Sequence, residues 1–516
     1  MRPSSVAKSH CGVNTLALLV VVVVPSLLPA LLVVPLDGRP VRFGAPLPAM
    51  AIRDGLRLEG KGLLQWRRLP IGRPDVDPVW VEIAITGPPG VVRIVAGDGP
   101  PTPDGVGPVF VREETEEVLS HGRVQRTTWR WVDGTVEARQ RTTFTAPTTI
   151  AGETFLVGES LTTGDDSVTH RADLIVGMPR TWFTAIGLLP PVGGGNGVSR
   201  AVRQQLAQVL PRLPELPGLR GAGDYARSGG VVTNLEFDTT LALVRAAVGL
   251  GEVSAWHRAA RAAVHLRDRD LDPRTGLPFG HGPTHRGTAP EPGHSWLQGL
   301  LWVGLLAAED GHLVAAQNLA AALAAQPPMG TGVNERLRDY AWPLLELEAL
   351  LAIAPDPVIA RAADRLAASI ARRFDPVART FRFGEGEVGE RVYLERGWLT
   401  AGVLLPALQA HLRRRPNARL ADHVAAVQQM LLDRVGHGGP GVPTHWRLAG
   451  EQAFAEHRER QTAAAACVLE TFARDDLQRL LRRPSVREAV LAMPRLDDPD
   501  LATQFSLLAR CRWVWR

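Results

Sequence analysis

Lysine is almost missing from this chain of 516 residues: Lys8 and Lys61 are the only two among 58 cationic side chains, and the rest are arginine. A surface made for nucleic acid carries blocks of both cations interleaved with aromatics, and neither such a block nor a groove-reading motif occurs. The net charge of +5 is therefore a bias of composition, and nucleic acid is excluded as a partner. Cysteine is scarce as well. Cys11, Cys467 and Cys511 show no CxxC spacing, which excludes a disulfide framework, and Cys467 in its Ala-rich stretch reads as a small buried residue. No HExxH pattern is present, and tyrosine occurs three times. Beyond the N-terminus no apolar run approaches the roughly 20 residues that span a bilayer, which excludes a polytopic protein.

What is present is globular. With 45% hydrophobic and 22% charged residues the chain is neither disordered nor fibrous, and its length asks for two or three domains. Residues 1–36 carry Arg2 and Lys8 ahead of an apolar run from Leu16 to Leu36 that Pro25 and Pro29 interrupt. This is the pattern of a signal peptide cleaved near Ala30, with an N-terminal anchor as the rival. Either reading exports the body of the protein to the periplasm, the cell envelope or the exterior. Contact with membrane would run only through this segment if it is uncleaved.

Residues 37–187 alternate in the β manner, as in Val79-Trp80-Val81-Glu82-Ile83-Ala84-Ile85, between Gly, Pro and Asp turns, which predicts an antiparallel sandwich or barrel. Residues 188–232, with Pro190-Pro191 and Gly193-Gly194-Gly195, read as a linker holding one short helix over 200–210. From 233 to 516 the period becomes helical. Segments fall at 235–250, 253–267, 294–309, 312–326, 335–353, 356–373, 394–413, 417–434, 459–473, 475–482, 484–492 and 498–510. Tight turns recur at 250–252, 310–312, 355–357 and 415–417, the spacing of helical hairpins. The predicted fold class is multidomain α+β: an N-terminal antiparallel β-sandwich or barrel followed by an (α/α)6 toroid of six hairpins, with an open solenoid as the alternative.

Chemistry concentrates at the starts of alternate helices: Asn234, Glu236 and Asp238; His294, Trp296 and Gln298; Arg338, Tyr340 and Trp342; Glu395, Arg396 and Trp398; and His445 with Glu456. If these helices line a ring, the clusters meet on one rim. Aromatic faces for sugar rings beside carboxylates, His and Arg suit a carbohydrate. Loops interrupt the array at 267–293, 374–393 and 436–456, the second reading as a hairpin that turns at Gly384-Glu385-Gly386. The first holds Asp268, Asp270 and Asp272, then His281, His285 and Arg286. Its alternate aspartates raise calcium, but the glycine and terminal glutamate of an EF-hand are missing, and the histidines lack zinc-site companions. No metal or cofactor is assigned.

Gly223-Asp224-Tyr225, Asn234-Leu235-Glu236-Phe237-Asp238, His265 with Asp268 and Asp270, His281-Gly282 and Pro292-Gly293-His294-Ser295-Trp296-Leu297-Gln298-Gly299-Leu300 follow the order found in exo-rhamnogalacturonan lyase-like proteins, which this chain resembles. Arg338-Asp339-Tyr340-Ala341-Trp342-Pro343-Leu344 is a looser match, and residues 38–48 resemble the opening strand of that family's β-barrel. The resemblance covers about 38–110 and 223–400, and the chain is short for the family.

It implies a β-domain before an α/α toroid and activity on an acidic pectic backbone. For β-elimination of a uronate, the expected catalytic residues are His281, His294, Glu236 and Tyr340. Asn234, Asp238, His285, Arg286, Trp296, Arg338, Trp342, Glu395, Arg396 and Trp398 would bind the polysaccharide or oligosaccharide. Two alternatives stay open: a glycoside hydrolase pairing Glu236 or Asp238 with Glu395, and a non-catalytic glycan-binding envelope protein.

Overall fold

In a computed structural model of the chain, the described residues are 32–36, 41–53, 55–72, 78–88, 90–97, 110–119, 122–131, 136–150, 153–163, 183, 187–190, 197–213, 235–250, 252–280, 289–326, 336–381, 392–394, 399–435, 445–449, 452–456, 466–492 and 501–516. The first strands are β1 (Leu32–Leu36), β2 (Val41–Leu47), β3 (Leu56–Glu59), β4 (Leu63–Arg68), β5 (Val79–Thr86) and β6 (Gly90–Ala96), with a short helix α1 (Ala49–Arg53) after β2. They make two antiparallel sheets of order β2-β5-β4 and β1-β6-β3. Phe43, Leu47, Trp66, Val81, Ile83, Ile85, Val92 and Ile94 form a core shared by both sheets. Leu32–Leu36, which the sequence assigns to the export segment, instead pairs with β6, Leu32 opposite Ile94. A separate four-stranded meander follows, β7 (Phe110–Leu119), β8 (Gly122–Trp131), β9 (Val136–Ile150) and β10 (Glu153–Thr163), in the order β10-β9-β8-β7.

Strand β5 alternates in sequence yet is buried on both faces. Val81, Ile83 and Ile85 enter the sheet core, while Trp80, Glu82 and Ala84 turn the other way, because that face is covered by helices.

The helices are α2 (Gly197–Val209), α3 (Thr239–Leu250), α4 (Val253–His265), α5 (Leu297–Ala307), α6 (Asp310–Ala324), α7 (Arg338–Leu351), α8 (Pro357–Ala371), α9 (Leu405–Arg414), α10 (Ala418–Arg434), α11 (Arg474–Leu481), α12 (Pro484–Leu491) and α13 (Leu501–Arg510). A π-helical turn, Thr400–Leu404, runs into α9, and a short helical segment occupies 466–471. Helices α3, α5, α7, α9, the 466–471 segment and α13 each pack against the next, and α13 returns against α3. The chain therefore builds a closed ring of inner helices. Helix α5 is buried all round, as a helix between neighbours on every side must be. The amphipathic α4 and α8 lie outside, and α8 starts at a true cap, Asp356 accepting from Val358 N and Ile359 N.

Three expectations change. Helix α2, assigned to a linker, is part of the ring: it packs on α3, α12 and α13, and Arg203 Nη1 donates to Val514 O (2.6 Å) and Arg516 O (2.9 Å). The sixth pair is thus α13 with α2, from opposite ends of the helical region, and α11 and α12 are not two members of successive hairpins. Within 374–393, Phe374–Asp375 (β11) pairs with Thr380–Phe381 (β12), while the expected turn at 384–386 lies outside the described residues. Asp375 Oδ1 accepts from Val377 N and Ala378 N and so caps that turn. Further on, β13 (Val392–Leu394), β14 (His445–Ala449) and β15 (Gln452–Glu456) join two of the predicted loops into one antiparallel sheet.

Sheet and ring are joined by buried charge. Arg42 and Arg67 both pair with the buried Glu82; Arg42 Nη2 donates to Ala308 O (3.0 Å) and Arg67 Nη2 to Asp310 Oδ2 (2.9 Å). These bonds hold the α5–α6 turn, where Ala308 takes a left-handed φ of 56° that glycine would adopt more easily.

Candidate functional site

The site begins at the N-terminal ends of three adjacent inner helices, α3, α5 and α7. Ahead of α3, Leu235, Phe237 and Asp238 have φ values of 55°, 64° and 56°, a left-handed run without glycine. Each such residue costs on the order of 1 kcal/mol or more, and outliers of this kind collect at functional sites. Burial of the four side chains at 235–238 and the bond from Thr239 N to Leu235 O hold the turn in place.

The turn aims one carboxylate at two helices. Asp238 Oδ1 accepts from Leu241 N and Oδ2 from Gly299 N, both at 2.9 Å. Helix α5 needs that help, because Trp296 at its N-cap offers no oxygen and leaves the first amides without a cap. Glu346 of α7 supplies the rest: its Oε2 accepts from Gln298 N (2.8 Å) and its Oε1 from Gln298 Nε2 (3.2 Å). Burial raises both carboxyls, Asp238 against the pull of its two backbone donors, and Glu346, which also feels the Asp238 charge, to about 8. At neutral pH a proton is therefore shared by this pair. The Arg510 guanidinium, whose charge favours ionisation of both, lies on the Trp342 ring at 4.3 Å.

Beside this pair, the 3-10 turn Pro292–His294 docks on the start of α7. Arg338 Nε donates to Gly293 O (2.9 Å), and a Cβ on Gly293 would lie 2.3 Å from Asp339 Oδ1, so only glycine fits that approach. His294 Nδ1 is 3.0 Å from Glu291 Oε2, which also takes Arg336 Nη2 at 3.0 Å; Arg336 in turn forks onto Asp339. Contact with His294 holds the Glu291 carboxyl down to about 2, against partial burial and with help from Arg336. Glu291 is thus ionised beside the His294 imidazole. Glu236 stands 3.8 Å from Arg338 Nη1.

Because the folded pKa of Glu291 lies below its ordinary 4.5, its contribution to stability is present above that value and is lost as pH falls through about 2. Glu291→Gln should flatten the acid limb of a Tm-against-pH curve between pH 5 and 2. An unchanged limb would mean that the pairing with His294 adds nothing to the fold.

The ring gathers seven of the predicted site residues, but assigns them different depths. Glu236, Asp238, His294, Trp296 and Trp342 are each 3% exposed or less, Arg338 is 9% exposed, and Tyr340 is half-buried. Trp296 and Trp342 were expected to stack on sugar; instead they meet edge to face at 4.8 Å with no exposed surface. His294 covers Trp296 (5.8 Å) and Arg510 covers Trp342, so the two rings are packing. Asp238 is likewise a buried cap shared by α3 and α5. Asn234, His281, His285, Arg286, Glu395, Arg396 and Trp398 lie outside the described residues.

Among the described residues, no group of three or more His, Cys, Asp or Glu is arranged to hold a metal ion. In the loop with alternate aspartates, Asp268 pairs with Arg267 (2.8 Å) and Asp270 with His265 (3.3 Å), and Asp272 accepts from Thr275 Oγ1 (2.9 Å). Sequence reasoning missed Glu291, Glu346, Arg336 and Arg510. Glu346 had a signal, an acid within the apolar run Leu344-Leu345-Glu346-Leu347, whereas Arg510 comes to Trp342 only through ring closure.

No family model matches the chain, and no curated protein matches it. Among solved structures, an α-1,6-mannanase of Salegentibacter in complex with α-1,6-mannotetrose is similar over 63% of this chain and 100% of its own, at 11% identity and a TM-score of 0.43. A polysaccharide lyase is similar over 61% of this chain and 96% of its own, at 12% identity and a TM-score of 0.42. A family 76 glycoside hydrolase from a bovine Bacteroides thetaiotaomicron strain is similar over 88% and 93%, at 9% identity and a TM-score of 0.41. The closed ring described above rests on the contacts of this chain alone.

Proposed function

We propose that the chain is an exported carbohydrate-active protein that cleaves a uronate-containing, pectin-like polysaccharide by β-elimination at the mouth of the helical ring. The observation that carries this reading is the His294–Glu291 pair, a buried imidazole held at 3.0 Å by an ionised carboxylate, set against Arg338 through Gly293. β-Elimination needs a base at the C5 proton and a cation on the uronate carboxylate, where negative charge gathers as the proton leaves. His294 takes that proton. Arg338 stabilises the enolate-like intermediate, and Tyr340 protonates the departing glycosidic oxygen as the C4–O bond breaks and the C4=C5 double bond forms. The segments bearing Asn234, His281, His285, Arg286, Glu395, Arg396 and Trp398 are assigned to the substrate.

The test is a screen of pectic and other uronate oligosaccharides read by the ultraviolet absorbance of the unsaturated product and, separately, by new reducing ends. Elimination gives both signals. Reducing ends without absorbance would transfer the site to hydrolysis through Glu236, and binding with neither signal would leave a glycan-binding protein. In the active case Glu291→Gln should lower kcat about tenfold to a hundredfold with little change in KM, because it removes the charged partner of the imidazole.

A further inference from the structure

We infer that Cys467 and Cys511 form a cystine that locks the fifth inner segment of the ring to the end of the sixth. Their Sγ atoms lie 3.0 Å apart, although 44 positions separate them in the chain, and both are buried. The two sulfurs converge on one carbonyl, Leu507 O, at 3.2 Å from Cys467 and 3.0 Å from Cys511. The backbones that carry them are held together independently of the sulfurs. Trp513 Nε1 donates to Ala466 O (2.9 Å) and Trp513 N to Glu470 Oε2 (3.3 Å), on either side of the pair. Behind Cys467 the neighbouring element comes close, since a Cβ on Gly402 would stand 3.0 Å from the Cys467 Cβ. Disulfides form where two cysteines are so placed in an oxidising compartment. The cystine rests on the export proposed above, which would bring the chain to such a compartment.

The chemistry is thiol–disulfide exchange with an external disulfide donor. One cysteine thiolate attacks a donor sulfur, giving a mixed disulfide and releasing one donor thiol; the second thiolate attacks the mixed disulfide, forms the Sγ–Sγ bond and releases the other. Two electrons pass to the donor and two protons are lost. Burial, with the neighbouring Cys467 thiol, pushes the Cys511 thiol well above its usual range, so folded Cys511 presents little thiolate. The exchange therefore belongs to assembly, before the sulfurs are covered.

The full chain, refolded with oxidised glutathione as donor, should yield a peptide linking Cys467 to Cys511 after thiol blocking under denaturing conditions, digestion and non-reducing mass spectrometry, with Cys11 alkylated. Recovery of both cysteines alkylated, or linkage of either to Cys11, overturns the inference. The oxidised chain should also melt about 5 °C above the same chain kept in a phosphine reductant, a difference absent from the double variant Cys467→Ala/Cys511→Ala. Equal melting of the oxidised and reduced wild type would remove the lock. Should the variant fail to fold, the wild-type peptide map decides alone.

Discussion

Gly44→Ala should destabilise the protein by about 4 kcal/mol or more, the range reserved for changes that a packed structure cannot absorb. The reason is local. A Cβ at this position of β2 would lie within 1.6 Å of the carbonyl oxygen of Leu305 in α5, and 3.5 Å from Leu69 Cδ1. A side chain could rotate away, but a helix carbonyl cannot move unless the sheet separates from the ring. That separation would also pull Arg42 from Ala308 and Arg67 from Asp310 and leave Glu82 as a buried charge with its partners displaced. A urea titration of the variant should show a lower midpoint. Limited proteolysis should find new cleavage near the β5 and α5–α6 segments. Gly197→Ala is the control. It opens α2 and meets nothing within 4 Å, so its effect should stay within about 0.5 kcal/mol and favour folding if it has a sign. Equal effects at the two positions would refute the account of the sheet–ring junction.

Glu346→Gln should change how stability depends on alkali. The Glu346 carboxyl is held at about 8 in the fold against an ordinary value of 4.5, so between these values the folded chain keeps a proton that the unfolded chain has released. Stability from the neutral acid is full below 4.5 and falls as pH rises through about 8, by a few kcal/mol in total. Asp238, raised by burial as well, acts in the same direction. Glutamine carries no proton to lose and can still accept from Gln298 N, while the Gln298 amide reverses to receive its new donor. The variant should therefore be close to wild type near pH 5 and more stable at pH 9. Melting curves at the two values measure it. A variant whose Tm stays parallel to wild type across that range would mean that Asp238 alone holds the proton.

The two pH predictions run in opposite directions from one neighbourhood. Glu291 is partly exposed, between an imidazole and a guanidinium that favour its charge. Glu346 is fully buried, where burial and Asp238 oppose its charge. One carboxylate is thus kept ionised and the other is held up in pKa by depth and neighbours rather than by residue type.

Much of the helical half could be read from the chain. Periodicity placed α4 over 253–265, α8 over 357–371 and α10 over 418–434 to within a few residues, because each has one apolar face repeating every three to four positions and a recognisable start such as Asp356 or Asn417. Glu236, Asp238, His294 and Arg338 also drew notice, since polar groups at the first turns of apolar helices are costly to bury without a purpose. Sequence period could not state which of them face a ligand. Trp296 and Trp342 look like sugar platforms in one dimension and are covered in three, and Asp238 looks like an acid and is a cap. Helix α2 looked like part of a linker because its partners, α13 and the C-terminal residues after it, lie some 300 positions later (Arg203 to Val514 spans 311), a separation over which local pattern carries no information. The same holds for Cys467 beside Cys511, for Arg510 on Trp342 and for Glu346 on Gln298. The chain by itself determined its helices, its strands and the residue types at their ends, which depend on near neighbours. Closing the ring alone decided which groups meet, which are buried and which keep a proton, because those depend on contacts between distant parts of the chain.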